Sequence, residues 1–353
     1  MGVAGDRFRF RHVLPSQDRE DCPLRYLLAA IALIPAAALA QPAKAPSTGP
    51  DSGVMGAQVL LDRLGFGPGV IDGRSGASYT QALKGYQEAN GLKATGKLDA
   101  ATQAKFDAYR GMPTVITIKL DEQILAGPFV GPIPKDEGDQ AKLKTIGYSD
   151  VNEKLAERYH TTPATLAALN PEKPKLDPGS EIKVPNVIPA AREYSADLKP
   201  EWRDTLWTLN VGSDQPKAVK IVVDKSDSVL RVIGEGGKLI AQFPATMGSA
   251  KDPLPIGTWK IQGVAYNPPF HYNPKLFWDA SSKDDKALLQ PGPNGPVGVV
   301  WMDLNKAHYG IHGTPRPENI GKTESHGCIR LTNWDAARVA MMVKPGTPAI
   351  FQN

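Results

Sequence analysis

The spacing of apolar residues changes along this 353-residue chain, and this change constrains the fold more than any other feature. In the first third, apolar side chains recur at the i, i+3, i+4 and i+7 spacing of one helical face, as at Tyr79, Ala82, Leu83 and Tyr86. Further on, apolar and polar residues alternate as in half-buried strands, first at Val219, Ile221 and Val223. A chain of this length exceeds one typical core, so we expect two or three domains.

The N-terminal segment predicts export. Residues 24–40 read LRYLLAAIALIPAAALA, with Arg25 as the only charge, after a stretch that contains several arginines. The segment ends in Ala38-Leu39-Ala40, a small-x-small cleavage site. It is shorter than the roughly 20 residues that span a bilayer, which disfavours the alternative of an uncleaved anchor. We therefore predict a cleavable signal peptide and a periplasmic or cell-envelope location.

Charge and cysteine content narrow the function. The formal net charge is +4, with 41 basic and 37 acidic side chains, which gives no electrostatic reason to expect a nucleic-acid partner. Of the two cysteines, Cys22 lies in the predicted signal peptide, so Cys328 has no partner in the exported chain. Exported proteins normally pair their thiols. An unpaired cysteine is either an intermolecular link or a reactive thiol.

The surroundings of Cys328 favour a nucleophile. It lies in Ser325-His326-Gly327-Cys328-Ile329-Arg330, downstream of Tyr309-Gly310-Ile311-His312-Gly313. A cysteine reacts as the thiolate, and a histidine within hydrogen-bond reach can take its proton and return it to the leaving group. Either His326 or His312 could be this base. Gly327 lets the backbone turn closely and leaves successive N–H groups for a developing oxyanion.

Zinc is the alternative use of these side chains. His308, His312, His326 and Cys328 are all possible ligands. If 309–312 is a strand, however, His308 and His312 lie about 13 Å apart, too far to share one ion. We therefore expect no metal and no other cofactor.

Composition and periodicity predict a multidomain α+β protein. Its expected segments are a signal peptide at 1–40, a flexible linker at 41–53, a small three-helix bundle at 54–110, a linker with one strand at 111–145, a βααβ module at 146–186, a linker at 187–215 and a mainly β, sandwich-like or barrel-like domain at 216–353. Asp99 is the expected N-cap of the third N-terminal helix, and Glu235-Gly236-Gly237-Lys238 between two apolar runs indicates a β-hairpin. Residues 266–297 interrupt the last domain with many Pro, Asn and aromatic residues, and we expect a functional loop or cap there.

The two smaller folded segments resemble wall-binding modules. Residues 54–110 include YQEANGL and TGKLDAAT and resemble a peptidoglycan-binding domain, with a generic helical bundle as the alternative. Residues 146–186 end in LAALN and PGSEIKVP and resemble a LysM-type glycan-binding module. They depart from it at Val151-Asn152-Glu153-Lys154-Leu155, where that family has Gly-Asp-Thr-Leu. A spacer without glycan binding is therefore the alternative.

Residues 216–352 resemble the L,D-transpeptidase (YkuD) catalytic domain. The similarity lies in Pro255-x-Gly257-x-Trp259, in the His312-Gly313 and Ser325-His326-Gly327-Cys328 motifs, and in Gly346-Thr347-Pro348. The resemblance implies that Cys328 attacks a peptidoglycan tetrapeptide stem, releases D-alanine as a thioester forms, and transfers the stem to a diaminopimelate amine in a 3–3 cross-link. It further implies that His312 is the base, oriented by the carbonyl of Gly313.

The same resemblance assigns the remaining site residues and the partners. His326 and Ser325 would shape the site, the N–H groups of residues 326–328 would form the oxyanion hole, and Arg330 together with Ser325 would bind substrate. Stem peptides and glycan strands would be the partners, with a lysine of an outer-membrane protein as another acceptor. Two other functions stay open: hydrolysis of the same thioester, as in an L,D-carboxypeptidase, and a non-catalytic wall-binding scaffold.

Overall fold

The computed structural model describes residues 49–277, 280–281 and 285–353, which belong to one compact unit. The predicted signal peptide and Cys22 lie outside the described residues. Within the described part of the chain, no helix is long and apolar enough to cross a membrane.

The first folded segment is the predicted bundle of three helices. They are α1 (Ser52–Arg63), α2 (Ala77–Ala89) and α3 (Ala100–Phe106). Asp51 caps α1 by accepting from the N–H groups of Gly53 and Val54, and Asp99 caps α3 as the sequence predicts. The predicted apolar face of α2 is buried in a core shared with α1 and α3.

The next segment is a two-stranded sheet with helices. Its elements are β1 (Val115–Lys119), α4 (Glu122–Leu125), α5 (Glu137–Gln140), α6 (Val151–Arg158), α7 (Pro163–Leu169) and β2 (Glu181–Pro185). The strands pair antiparallel, with Val115 opposite Pro185. The first strand therefore comes from the predicted linker 111–145 rather than from 146–150. Ile146 instead donates its N–H to the carbonyl of Pro291 at 3.1 Å, in the β domain.

The segment 187–215, which the sequence analysis interprets as a linker, contains helix α8 (Pro200–Thr208). Trp202 and Leu206 of this helix are buried in the same hydrophobic core as the β domain. The sequence did not predict this helix because its pattern is short. The two buried side chains lie four residues apart on one helical face, between Pro-rich flanks.

The β domain begins at residue 220. Its elements are β3 (Lys220–Asp224), β4 (Val229–Ile233), β5 (Leu239–Pro244), β6 (Thr246–Met247), β7 (Gly257–Tyr266), β8 (Phe270–Tyr272), β9 (Ala287–Leu289), β10 (Val300–Leu304), β11 (Gly310–His312), β12 (Ile329–Arg330), α9 (Asn333–Met342) and β13 (Pro348–Gln352). Nine strands form one sheet in the order β5-β4-β3-β13-β7-β10-β11-β12-β6. Its two edge strands, β5 and β6, are separated in the chain by Ala245 alone. The sheet must therefore curve back on itself, which confirms the barrel-like prediction.

The interruption predicted at 266–297 contains a small hairpin. Strands β8 and β9 pair with each other and with no strand of the large sheet. Tyr272 and Leu289 of the hairpin bury Ile146 from the β1–β2 segment. The hairpin therefore packs against the segment that precedes α6.

Candidate functional site

Strand pairing brings the two predicted motifs together. His312 is the last residue of β11, and Cys328 directly precedes β12. The two strands are parallel, with Ile311 opposite Ile329 and His312 opposite Arg330. The sheet thus places the His-Gly motif beside the motif that contains the cysteine, although fifteen residues of chain lie between His312 and Cys328.

The imidazole of His312 is buried and fixed in one tautomer. Its Nδ1 lies 2.7 Å from the carbonyl oxygen of Gly313, as the family resemblance implies, and its ring stacks on Trp301 at 5.4 Å between centroids. A carbonyl oxygen only accepts, so Nδ1 carries the proton and Nε2 carries the lone pair. Burial, assisted by the positive charge of Arg330, lowers the pKa of His312 to about 3. At neutral pH the ring is therefore uncharged and its Nε2 carries no proton.

The thiol of Cys328 is half-buried, and its Sγ lies 3.7 Å from the carbonyl oxygen of His308. Burial raises the pKa of this thiol, while a backbone hydrogen bond from Gly310 and the charge of Arg330 act in the opposite direction. The thiol is therefore protonated at neutral pH. Its proton has to move during the reaction.

Ser325 fixes the loop that ends in Cys328. Its Oγ donates to the carbonyl oxygen of Cys328 at 2.6 Å and accepts from the N–H of Gly248 at 2.7 Å. The residue is buried. Ser325, which the resemblance assigns to substrate binding, thus satisfies both hydrogen bonds inside the protein.

Gly327 is required by the geometry of the same loop. Its φ of +91° is in the left-handed region that favours glycine. A Cβ at this position would lie 2.7 Å from Cε1 of Tyr309, whose ring packs against the loop. Tyr309 belongs to the His312 motif, and the sequence alone does not indicate this contact with Gly327.

His326 and Arg330 flank the cysteine on different sides. The ring of His326 meets Phe277 edge to face at 5.2 Å between centroids, so the predicted cap reaches the site through Phe277. Arg330 lies on β12 between His312 on β11 and Thr246 on β6.

Two parts of the chain match known families. Residues 218–351 match the family described as "L,D-transpeptidase catalytic domain" (YkuD), and residues 50–106 match "Putative peptidoglycan binding domain".

Relatives with curated names agree with the first of these matches. The "Putative L,D-transpeptidase YkuD" of Bacillus licheniformis is 53% identical over 58 residues, which cover 16% of this chain and 35% of that protein. The "Probable L,D-transpeptidase YbiS" of Escherichia coli K12 is 28% identical over 134 residues, 37% of this chain and 44% of that protein. The chain thus spans about a third to a half of these relatives' length.

Among solved structures, an L,D-transpeptidase from Mycobacterium smegmatis is 25% identical with a TM-score of 0.31, covering 38% of this chain and 58% of that one. By the family matches, residues 218–351 are similar to the catalytic domain of L,D-transpeptidases (YkuD) and residues 50–106 to a putative peptidoglycan-binding domain.

Proposed function

We propose that the protein is a peptidoglycan L,D-transpeptidase in which Cys328 is the nucleophile and His312 the general base. The observation that supports this most directly is the parallel pairing of β11 and β12, which brings the strand that ends in His312 beside the strand that follows Cys328. Neither group carries a charge before substrate binds, so the pair is suited to proton transfer coupled to attack.

The proposed first half-reaction forms a thioester. Sγ of Cys328 attacks the carbonyl carbon of the amide between the third and fourth stem residues as its proton passes to Nε2 of His312. The oxyanion is stabilised by N–H groups of residues 326–328, which the left-handed turn at Gly327 presents together. Collapse breaks the C–N bond, and His312 returns the proton to the amine of the leaving D-alanine.

The second half-reaction transfers the stem. A diaminopimelate amine attacks the thioester carbonyl, loses a proton to His312 and expels the thiolate, which is then reprotonated. The product is a 3–3 cross-link. Phe277 of the cap, which covers His326, supports a site that shields the thioester from water.

The same thioester has two alternative acceptors. Water would give an L,D-carboxypeptidase, and a lysine of an outer-membrane protein would give a protein–wall link. The substrate-holding role proposed for Arg330 is supported by its position between His312 and the β6 edge. Ser325 is assigned to holding the loop, since its hydroxyl is occupied by backbone groups.

The remaining segments are proposed to hold the enzyme on the wall. The 50–106 domain would bind peptidoglycan, and the β1–β2 segment resembles a glycan-binding module. Export by the signal peptide would place the protein in the periplasm or cell envelope, where its substrate is found.

The proposal is tested with the chain from Gln41 onward and its Cys328→Ala variant. Each is incubated with purified disaccharide-tetrapeptide, and the products are identified by mass spectrometry. We expect a dimer that has lost one alanine, formed by the unmodified chain and not by the variant. Disaccharide-tripeptide without dimer would move the assignment to carboxypeptidase. A product unaffected by the variant would refute Cys328 as nucleophile, and a bound but unchanged muropeptide would favour the scaffold.

A further inference from the structure

Glu157, which lies outside the matched catalytic domain, contacts that domain at the start of α9. Glu157 lies in the last turn of α6 and is buried, with its side chain directed at Asn333, the first residue of α9. Nδ2 of Asn333 donates to Oε1 of Glu157 at 2.8 Å and to the carbonyl oxygen of Pro293 at 3.0 Å. The N–H of Val299 donates to Oδ1 of Asn333 at 3.2 Å. These contacts fix the amide in one orientation, because backbone donor and acceptor cannot exchange roles.

The amide of Asn333 is pressed against the backbone that orients the histidine. A Cβ built on Gly313 would lie 2.1 Å from Oδ1 of Asn333, and one built on Gly298 would lie 1.9 Å from the same atom. Both glycines therefore contact the Asn333 side chain directly, with no room for a Cβ. The carbonyl of Gly313 is the group that accepts from Nδ1 of His312 at 2.7 Å.

From this continuous set of contacts we infer that Glu157 is a positioning residue for His312. It holds the amide of Asn333, the amide supports the peptide of Gly313, and that peptide fixes the tautomer and direction of the imidazole. The inference rests on the proposed function, since it assigns a role in the reaction of His312. It makes the β1–β2 segment a structural part of the active site rather than a tether alone.

Helix α6 contacts the catalytic domain a second time, at Asn294. Glu153 of α6 accepts from Nδ2 of Asn294 at 3.0 Å and from the N–H of Ser149. Nδ2 of Asn294 also donates to the carbonyl of Gly147 at 3.1 Å. Since Asn294 follows Pro293, whose carbonyl binds Asn333, α6 fixes Asn333 both directly and through the segment beside it.

The test compares two buried charged residues of one helix. In Glu157→Met the acceptor for Asn333 is lost. The matched control is Lys154→Met, which also replaces a buried charge, but Nζ of Lys154 donates only to the carbonyls of Gln123 and Ala126 among the contacts described. A third variant, Glu157→Gln, retains an oxygen that accepts from Asn333. Burial raises the pKa of Glu157 to about 7, so glutamine also approximates its protonated form.

We expect Glu157→Met to lower kcat for dimer formation about tenfold or more with KM unchanged. Lys154→Met should keep kcat within about twofold at a temperature where both are folded, and Glu157→Gln should restore most of the loss. If Glu157→Met does not fold, Glu157→Asp withdraws the carboxylate from Asn333 and should give the same drop.

Equal kcat in the Glu157→Met and Lys154→Met variants, or a glutamine variant no better than methionine, would overturn the inference. Those results leave the proposed function standing, because the unmodified chain still turns over. Failure of the unmodified chain to form any product would instead refute the proposed function itself.

Discussion

Replacing Asp62 by alanine is expected to destabilise the protein strongly, because this carboxylate joins three segments of the chain. Asp62 of α1 accepts from Nδ1 of His160 at 3.0 Å, and from Nη2 and Nη1 of Arg338 in α9 at 2.8 and 3.1 Å. The side chains of Asp62 and His160 are fully buried, and that of Arg338 is 8% exposed. No solvent can replace the carboxylate without local opening.

The charge of His160 follows from its partners. Its Nε2 lies 2.8 Å from the carbonyl oxygen of Leu209, and its Nδ1 faces the carboxylate of Asp62. Both partners only accept, so both ring nitrogens donate and the ring is positive. The ring also stacks on Trp334 at 4.8 Å between centroids. Alanine at position 62 would therefore leave two buried cations without their shared anion.

The magnitude follows from that geometry. Removing one partner of a buried ion pair costs about 3–5 kcal/mol, against a total stability of roughly 5–15 kcal/mol for a folded domain. With about 2–4 °C per kcal/mol for a large domain, the midpoint of thermal unfolding should fall by roughly 6–20 °C.

The assay is differential scanning calorimetry at neutral pH, with Asp107→Ala as the matched control. Asp107 pairs with Arg110 at 2.8 Å, but those side chains are 38% and 78% exposed, so we expect no measurable change. The reasoning is refuted if Asp62→Ala lowers the midpoint no more than Asp107→Ala. Adding Arg338→Met to Asp62→Ala should recover part of the loss, since the buried guanidinium, whose remaining ion-pair partner is Asp335 at 3.4 Å, is then removed.

Three further predictions concern protonation and the site. Burial raises the pKa of Glu157 to about 7, so the contribution of its protonated form to stability is present below about pH 4.5 and is lost as the pH rises through 7. Urea unfolding should show that the free energy of unfolding falls by roughly 3 kcal/mol over this range. The Glu157→Gln variant should show a smaller fall. His312→Asn should lower dimer formation by at least about a thousandfold, with the circular dichroism spectrum unchanged, because the proton acceptor is removed. Gly327→Ala should abolish turnover and lower stability by about 1 kcal/mol or more in the same unfolding assay, because its φ of +91° and the ring of Tyr309 both oppose a methyl group.

The elements that the sequence predicted well are those set by local pattern. The face of α2, the capping of α3 by Asp99 and the β4–β5 hairpin depend on residues close in sequence, and each is present. The pairing of β11 with β12, which brings the two motifs together, was predictable for another reason. Both motifs resemble those of a known family, and the resemblance implies that they meet in one site.

The contacts between segments were not predictable from one sequence. Asp62 and Arg338 are separated by 276 residues, and Asp62 and His160 by 98. Periodicity shows which face of a helix is buried but not what covers it. Asn333 illustrates the limit: nothing in its neighbourhood signals that its amide meets Gly313 across the fold.

The state of Cys328 also decides which experiment can identify the activity. Because burial raises the pKa of its thiol, slow alkylation by iodoacetamide near neutral pH is expected even of a fully active enzyme. Slow alkylation therefore does not indicate a vestigial site. The rate of alkylation should rise with pH to above 9, the ordinary pKa of the group, whereas dimer formation should proceed near pH 7, since attack and proton transfer to His312 occur together. Rapid alkylation at pH 7 would contradict this reasoning, because it would require a thiolate–imidazolium pair before substrate binds.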